Sequence, residues 1–207
     1  MSDRPGRSRS VAELALWHAA LREAVLDPDL PIIDAHHHLW RRPPDRFCFD
    51  ELLEEVNRGH NVRATVFVEC SSMFKAGGPS HLRPVGETEY VNGVAAISAS
   101  GIYGSVRLCA GIVGYVDLQS GASARDVLEA HMLAGGGRFR GVRQQAQFDD
   151  QVGSLARRTP PKGLLQDPAF RQGFAQLRPL GLTFDAFVYF TQLREVAELA
   201  RSFPIQG

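Results

Sequence analysis

Two histidines near the start of the chain have the spacing of a metal-binding pair. The segment DAHHH (residues 34–38) ends a short apolar run that is predicted to be a strand over 31–36. Because side chains alternate between the faces of a strand, Asp34, His36 and His38 are predicted on one face, with the two histidine Cα atoms about 6–7 Å apart. Two imidazoles so placed can converge on one divalent ion; zinc would take their nitrogens at about 2.0–2.1 Å and keep an open position for water. Two ligands do not close a site, so the spacing alone leaves open a pair of hydrogen-bonded histidines without an ion.

The remaining histidines are assigned to other roles. His37 points to the opposite face of the strand and is predicted to be structural. Its triplet is not an expression tag, because it lies within an apolar strand instead of at a terminus. The others are isolated and are predicted to lie at the surface: His18, His60, His81 and His131.

Three charged residues at strand positions are further candidates. Glu69 ends the second predicted strand and could contact a metal or substrate, although a solvated or hydrogen-bonded carboxylate explains it equally well. Arg143 could hold a substrate carboxylate with its planar guanidinium, or form an ordinary salt bridge. The spacing from Arg140 places these two arginines on opposite faces. Asp185 lies within an apolar strand and therefore needs a partner if it is buried.

The chain alternates strands with helices, and this alternation favours a parallel sheet with buried strands. Residues 1–30 are predicted to form a polar tail and a helix at 11–26, and residues 31–207 to form one α/β domain without a dividing linker. Further predicted strands lie at 62–68, 110–118, 139–144 and 182–189, and helices at 50–58, 87–100, 123–133, 167–178 and 191–202.

Composition excludes several classes of protein. The chain has 207 residues, 44% hydrophobic and 22% charged, which is enough apolar surface for a sizeable core. Basic and acidic residues number 23 each, so no net field attracts nucleic acid. No apolar run approaches the roughly 20 residues of a membrane helix, and no secretory signal is evident. Three scattered cysteines fit free thiols, so a cytoplasmic location is expected.

Five segments in order resemble a known family. IIDAHHHLW, VRATVFVEC, PVGETEYVNG, FRGVRQ and LTFDAFVYF are similar to the amidohydrolase-related (amidohydrolase 2) group of TIM-barrel hydrolases, which includes lactonases. The resemblance runs from about residue 31 to the end. It implies an eight-stranded barrel with its site at the carboxyl ends of the strands, and it places His36 and His38 at the family's first-strand pair.

The same resemblance implies an incomplete barrel. About five βα units of an eight-unit barrel are recognisable, so we expect a partial TIM (β/α)8-type barrel, that is, a truncated or fragmentary chain. The family's later histidine and its last-strand aspartate have no counterpart, and Phe190 stands where relatives often carry a histidine.

Three functions follow. The first is a hydrolase in which water attacks a lactone, ester or amide carbonyl, with His36, His38 and Asp185 as its catalytic residues. His36 and His38 would hold a divalent ion, with zinc expected, and Glu69 and Arg143 would bind an anionic small-molecule substrate. The second is a metal-independent lactonase, in which the histidines donate hydrogen bonds to the carbonyl while a carboxylate activates water. The third is a catalytically incompetent partial barrel, whose open sheet edge favours association with another chain, including a homo-oligomer.

Overall fold

The computed structural model describes residues 11–20, 23–43, 45–151 and 159–204. Its helices are α1 (Val11–Ala20), α2 (Phe49–Val56), α3 (Val85–Ala99), α4 (Ala124–Ala134), α5 (Pro168–Phe174) and α6 (Leu193–Ser202). Its strands are β1 (Pro31–His37), β2 (Trp40–Arg42), β3 (Asp45–Phe47), β4 (Asn61–Val68), β5 (Arg107–Gly114), β6 (Phe139–Val142) and β7 (Thr183–Phe184). Short 3-10 turns lie at Ser80–Leu82, Leu118–Ser123, Leu164–Gln166, Arg178–Leu180 and Phe190–Gln192.

Five strands form one curled parallel sheet in the order β1-β4-β5-β6-β7. The register of the first pair runs from Pro31 opposite Asn61 to His37 opposite Phe67, with irregularities along the way. Every neighbouring pair in this sheet is parallel, and a helix lies between successive strands. The prediction of an α/β fold with a partial barrel is therefore confirmed, and the carboxyl ends of all five strands meet at one edge.

Helices cover one face of the sheet and bury its apolar side chains. Helix α3 packs on β5 and on α4, and the core there includes Phe67, Val91, Ile112 and Leu128. The predicted start of the fifth helix is also observed: the Asp167 carboxylate accepts a hydrogen bond from the Phe170 N–H at 2.9 Å. This cap satisfies one of the donors that a helix leaves unpaired at its first turn.

A hairpin follows β1 that the sequence analysis did not predict. Strands β2 and β3 are antiparallel, with Trp40 opposite Phe47 and their ring centroids 5.7 Å apart. Each strand has only three residues, too few for an alternating pattern to stand out. The hairpin brings Trp40 and Arg42 to the carboxyl edge of the sheet.

Some predicted boundaries were wrong. The strand predicted over 182–189 pairs only at Thr183–Phe184, so Asp185 lies just beyond β7 instead of inside a strand. Its N–H still reaches the carbonyl of Val142 at 2.9 Å, after which the segment leaves the ladder. The helix predicted over 11–26 is observed over Val11–Ala20 and does not include residues 23–26, which are not helical. In the described ranges, no helix is both long and apolar enough to cross a membrane.

Candidate active site at the carboxyl edge of the sheet

The two predicted histidines meet at the end of β1. The Nε2 atoms of His36 and His38 are 3.4 Å apart, and the ring centroids are 4.9 Å apart with the planes nearly perpendicular. His36 is exposed and His38 is half-buried. The Asp34 carboxylate accepts a hydrogen bond from the His36 N–H at 3.1 Å, so Asp34 shapes the strand end instead of joining the pair.

Hydrogen bonds determine which ring nitrogens of His36 and His38 carry a proton. His38 Nδ1 lies 2.7 Å from the carbonyl oxygen of Val68 and must donate to it, since a carbonyl only accepts. Arg143 Nη1 lies 3.3 Å from His36 Nε2 and likewise can only donate. In the neutral rings both Nε2 atoms are therefore unprotonated acceptors, and the lone pair of His36 Nε2 accepts from Arg143. Burial lowers the pKa of His38, although the hydrogen bond to Val68 acts in the opposite direction.

Arg143 and Glu69 form a buried ion pair behind the histidines. Arg143 Nε donates to Glu69 Oε1 at 2.9 Å, and Arg143 Nη2 donates to the Glu69 carbonyl. The two side chains are 7% and 1% exposed. The carboxylate thus holds the guanidinium in one orientation and leaves Nη1 aimed at His36.

The side chains of His36, His38 and Arg143 line one open pocket of about 570 Å³. Arg42 donates a hydrogen bond to the Cys70 carbonyl at 2.7 Å, and its guanidinium lies 5.8 Å from the Trp40 ring centroid. Across the pocket the Arg143 guanidinium lies 5.3 Å from the Phe187 ring centroid. Asp185 is the acidic residue among those that line the pocket: His36, His38, Trp40, Arg42, Cys70, Arg143, Gln145, Asp185, Ala186 and Phe187.

The predicted site residues are therefore only partly gathered. His36, His38, Arg143 and Asp185 share the pocket, whereas Glu69 lies behind Arg143 and borders a second cleft of about 130 Å³. Arg42 was missed, because it lies in a hairpin whose strands are too short to predict. An exposed arginine four residues after the last histidine of the cluster gives no periodic signal.

Geometry at the histidine pair fits two positions of a zinc site. Nitrogens about 2.0–2.1 Å from a tetrahedral ion are roughly 3.3–3.4 Å apart, which matches the His36–His38 separation. The His38 hydrogen bond to Val68 is of the kind that orients a metal-bound imidazole. The described ranges contain no group of three His, Cys, Asp or Glu residues arranged to hold an ion. An ion would also compete with Arg143 for the lone pair of His36.

Two buried histidines lie away from the pocket. His37, as predicted, faces the core; its Nε2 contacts Thr65 Oγ1 at 2.9 Å, and burial lowers its pKa to about 4. His131 was predicted at the surface, and this is wrong, because it is fully buried. Its ring stacks on Phe139, and burial lowers its pKa to about 4 as well. Its position on the inner face of α4 explains the error, since a lone histidine gives no sign of which face it occupies.

Comparison with known proteins supports the fold. No protein-family model matches the chain. It is 29% identical over 198 residues to the uncharacterized protein y4mH of Sinorhizobium fredii, covering 85% of this chain and 60% of that protein. A solved amidohydrolase from Burkholderia multivorans with bound zinc superposes with a TM-score of 0.55 at 24% identity, over 82% of this chain and 53% of that structure.

These comparisons and the sheet define the class of fold. The chain has the α/β fold of an amidohydrolase-like barrel, represented by five parallel strands with the pocket at their carboxyl edge. It spans between about half and three-fifths of the length of the proteins it matches.

Proposed function

We propose that the pocket belongs to a hydrolase of the amidohydrolase superfamily, which adds water to the carbonyl of a lactone or ester that carries an acidic group. The observation that supports this most directly is the pair of inward-facing Nε2 atoms of His36 and His38 with the Arg143 guanidinium beside them. The pocket lies where barrel enzymes carry their reactive groups. The amidohydrolase fold of the solved neighbour agrees with this assignment.

Each residue has a proposed role. Arg143 binds the substrate's acidic group or its carbonyl oxygen through Nη1, while Glu69 keeps the guanidinium oriented. His36 and His38 face the reacting carbonyl. Asp185, the carboxylate in the pocket wall, orients the attacking water and takes its proton, and it returns this proton to the alkoxide that leaves when the C–O bond breaks.

A divalent ion has a place in this proposal. His36 and His38 would hold it in part, and such an ion polarises a carbonyl and lowers the pKa of bound water towards about 7. The 3.4 Å separation of the two nitrogens favours this arrangement. Binding the ion would require Arg143 to release His36 and would leave its Nη1 available to an anionic substrate.

A metal-independent lactonase is the second candidate. It is favoured by the Arg143–His36 hydrogen bond, which already places a positive charge beside His36 Nε2. In this form the Arg143 guanidinium and a protonated imidazole would stabilise the oxyanion that develops when water adds.

The test is a panel of lactones and esters with and without a carboxylate substituent, followed by proton release in a pH-stat. The chain is assayed after exhaustive chelation and again with added zinc. Turnover restored by zinc supports the metal form, and turnover unaffected by chelation supports the second candidate. Absence of turnover under both conditions with every compound overturns the proposed hydrolase.

Arg143→Lys, compared with Arg140→Lys on the opposite face of β6, tests the anion assignment. We expect the first change to raise KM by about tenfold or more for the acidic compounds, since the charge-assisted hydrogen bond from Nη1 is lost. Arg140 is exposed and lies outside the pocket, so its variant should match the wild type. An equal effect of both changes on KM would show that Arg143 does not bind the acidic group of the substrate.

A further inference from the structure

Three consecutive residues at the end of β4 hold the pocket's basic side chains. The carbonyl of Val68 accepts from His38, that of Glu69 from Arg143, and that of Cys70 from Arg42. The positions of these three side chains therefore depend on the path of the backbone through residues 68–70. We call residues 68–72 the β4 exit segment.

The backbone just after these carbonyls adopts an unfavourable conformation. Ser71 and Met73 have positive φ values of 55° and 50°, in the left-handed region that residues with a Cβ seldom occupy. Such conformations persist where the surrounding structure holds them. The first turn of α3 lies directly against this stretch, because a Cβ on Gly86 would come within 2.8 Å of the Met73 carbonyl oxygen.

The side chain that reaches from α3 into this stretch is Glu87. It is 2% exposed, and its Oε1 accepts hydrogen bonds from the N–H of Ser72 at 2.6 Å and of Cys70 at 3.4 Å. The Cys70 thiol lies 3.6 Å from the same oxygen. Ser72 lies between the two residues in the left-handed region, so the Glu87 carboxyl binds a backbone N–H within the unfavourable stretch.

We propose that Glu87 is a positioning residue for the pocket: its carboxyl holds the β4 exit segment, and that segment's carbonyls hold His38, Arg143 and Arg42. The hydrogen bonds alone support the role of Glu87 in positioning these side chains. An effect of Glu87 on turnover rests on the proposed hydrolase.

Glu87 can change its charge near neutral pH. Burial raises its pKa to about 7, and the nearby negative charge of Glu69 acts in the same direction. The other titratable groups around this end of α3 are Cys70, whose pKa burial raises to about 12, the neutral His131 bonded to Thr88, and Lys75, which pairs with Glu89. The ionised carboxylate is the stronger acceptor, so the segment should be held more firmly above pH 7 than below it.

The experiment measures hydrogen exchange at the amides of Cys70 and Ser72. In Glu87→Ala we expect exchange at least about tenfold faster, as for loss of a charge-assisted hydrogen bond. Glu87→Gln keeps an acceptor oxygen without the charge, so its rate should lie near the wild-type rate below pH 7 and between the wild-type and Glu87→Ala rates above pH 7. Glu89→Ala is the matched control, since Glu89 is exposed two residues along the same helix.

The pocket is read out separately by Trp40 fluorescence in a Trp17→Phe background, which leaves one tryptophan. Because the Arg42–Cys70 contact ties the hairpin to the β4 exit segment, acrylamide quenching of Trp40 should increase in Glu87→Ala and not in Glu87→Gln or Glu89→Ala. Faster exchange without a change in quenching, or unchanged exchange in a folded Glu87→Ala, overturns the proposal.

A pH series on the wild type and Glu87→Gln tests the same contact if Glu87→Ala does not fold. After correction for intrinsic exchange, wild-type protection of Ser72 should rise as the pH passes through 7, and Glu87→Gln should show no such step. A step of equal size in both proteins overturns the proposal. Neither exchange nor quenching requires turnover, so a failed hydrolase assay beside these results counts against the proposed function alone.

Discussion

Arg143 connects the stability of this protein to its pocket. Its charge is compensated by Glu69 in surroundings where both side chains are almost completely buried. Removing one member of such a pair leaves the other charge buried without a partner. This lowers the free energy of unfolding by far more than the pair itself contributes to it.

We therefore predict that Arg143→Met lowers the free energy of unfolding by about 3–5 kcal/mol. Arg140→Met, at an exposed position in β6, should change it by less than about 0.5 kcal/mol. Urea unfolding gives both values. The double variant Arg143→Met/Glu69→Gln should recover part of the loss, and strict additivity of the two changes would contradict the coupling.

His131 makes stability depend on pH. Its Nδ1 contacts Thr88 Oγ1 at 2.8 Å and its Nε2 contacts the Tyr115 carbonyl at 3.1 Å, with a folded-state pKa of about 4. The unfolded chain binds the proton more readily than the folded chain. The contribution of neutral His131 to the free energy of unfolding is therefore fully present above pH 6.5 and is lost as the pH falls towards 4.

His131→Gln should remove this dependence. Between pH 6.5 and pH 4, one buried neutral histidine changes the free energy of unfolding by up to about 3 kcal/mol. The difference in unfolding free energy between wild type and variant, measured by urea titration from pH 7 to pH 4, should shrink steadily as the pH falls. His37 has the same sign and remains in both proteins, so it cancels in the comparison. A difference that does not change with pH would show that His131 is not buried in its neutral form.

Among the helices and strands, those with a clear hydrophobic period or a cap motif could be predicted from the sequence. The β-branched run that became β4 and the capped start of α5 were predicted from local patterns, and the parallel order followed from alternation. The hairpin β2–β3 and the two-residue β7 have no period, so Arg42 and the true position of Asp185 could not be predicted. Glu87 was predicted only as part of a helix start, because its burial depends on how closely α3 approaches the β4 exit segment.

Two helical glycines should respond oppositely to the same substitution. A Cβ on Gly173 in α5 would lie 2.1 Å from the Leu118 carbonyl oxygen, whereas one on Gly93 in α3 would meet nothing within 4 Å. Gly173→Ala should therefore destabilise the protein by about 1–3 kcal/mol or more. Gly93→Ala should stabilise it by about 0.5–1 kcal/mol. Thermal unfolding of both variants measures this, and the same sign in each would contradict the α5 packing.

At the scale of the whole molecule, the sheet has two open edges. Within the described ranges β1 pairs only with β4, and β7 pairs only with β6. Unpaired strand edges promote association between chains. Ile33, in β1, is 66% exposed and adds an apolar side chain next to one edge.

We predict concentration-dependent self-association, detected by sedimentation as a mass that rises above 22.8 kDa. Ile33→Lys should reduce it, because lysine on an edge strand opposes pairing. Ile102→Lys is the matched control, since Ile102 is 80% exposed in a loop away from the edges. A monomer at all concentrations would contradict the prediction.

If His36 and His38 act together on a carbonyl in the pocket beside Arg143, loss of one imidazole must slow hydrolysis. We would compare hydrolysis of an acidic lactone by wild type, His38→Ala and His60→Ala, with and without zinc. We expect kcat/KM to fall by about a hundredfold or more in His38→Ala, as for loss of a group that polarises the reacting carbonyl. We expect no change in His60→Ala, whose histidine lies outside the pocket. Equal rates in the two variants would show that the histidine pair does not act on the carbonyl.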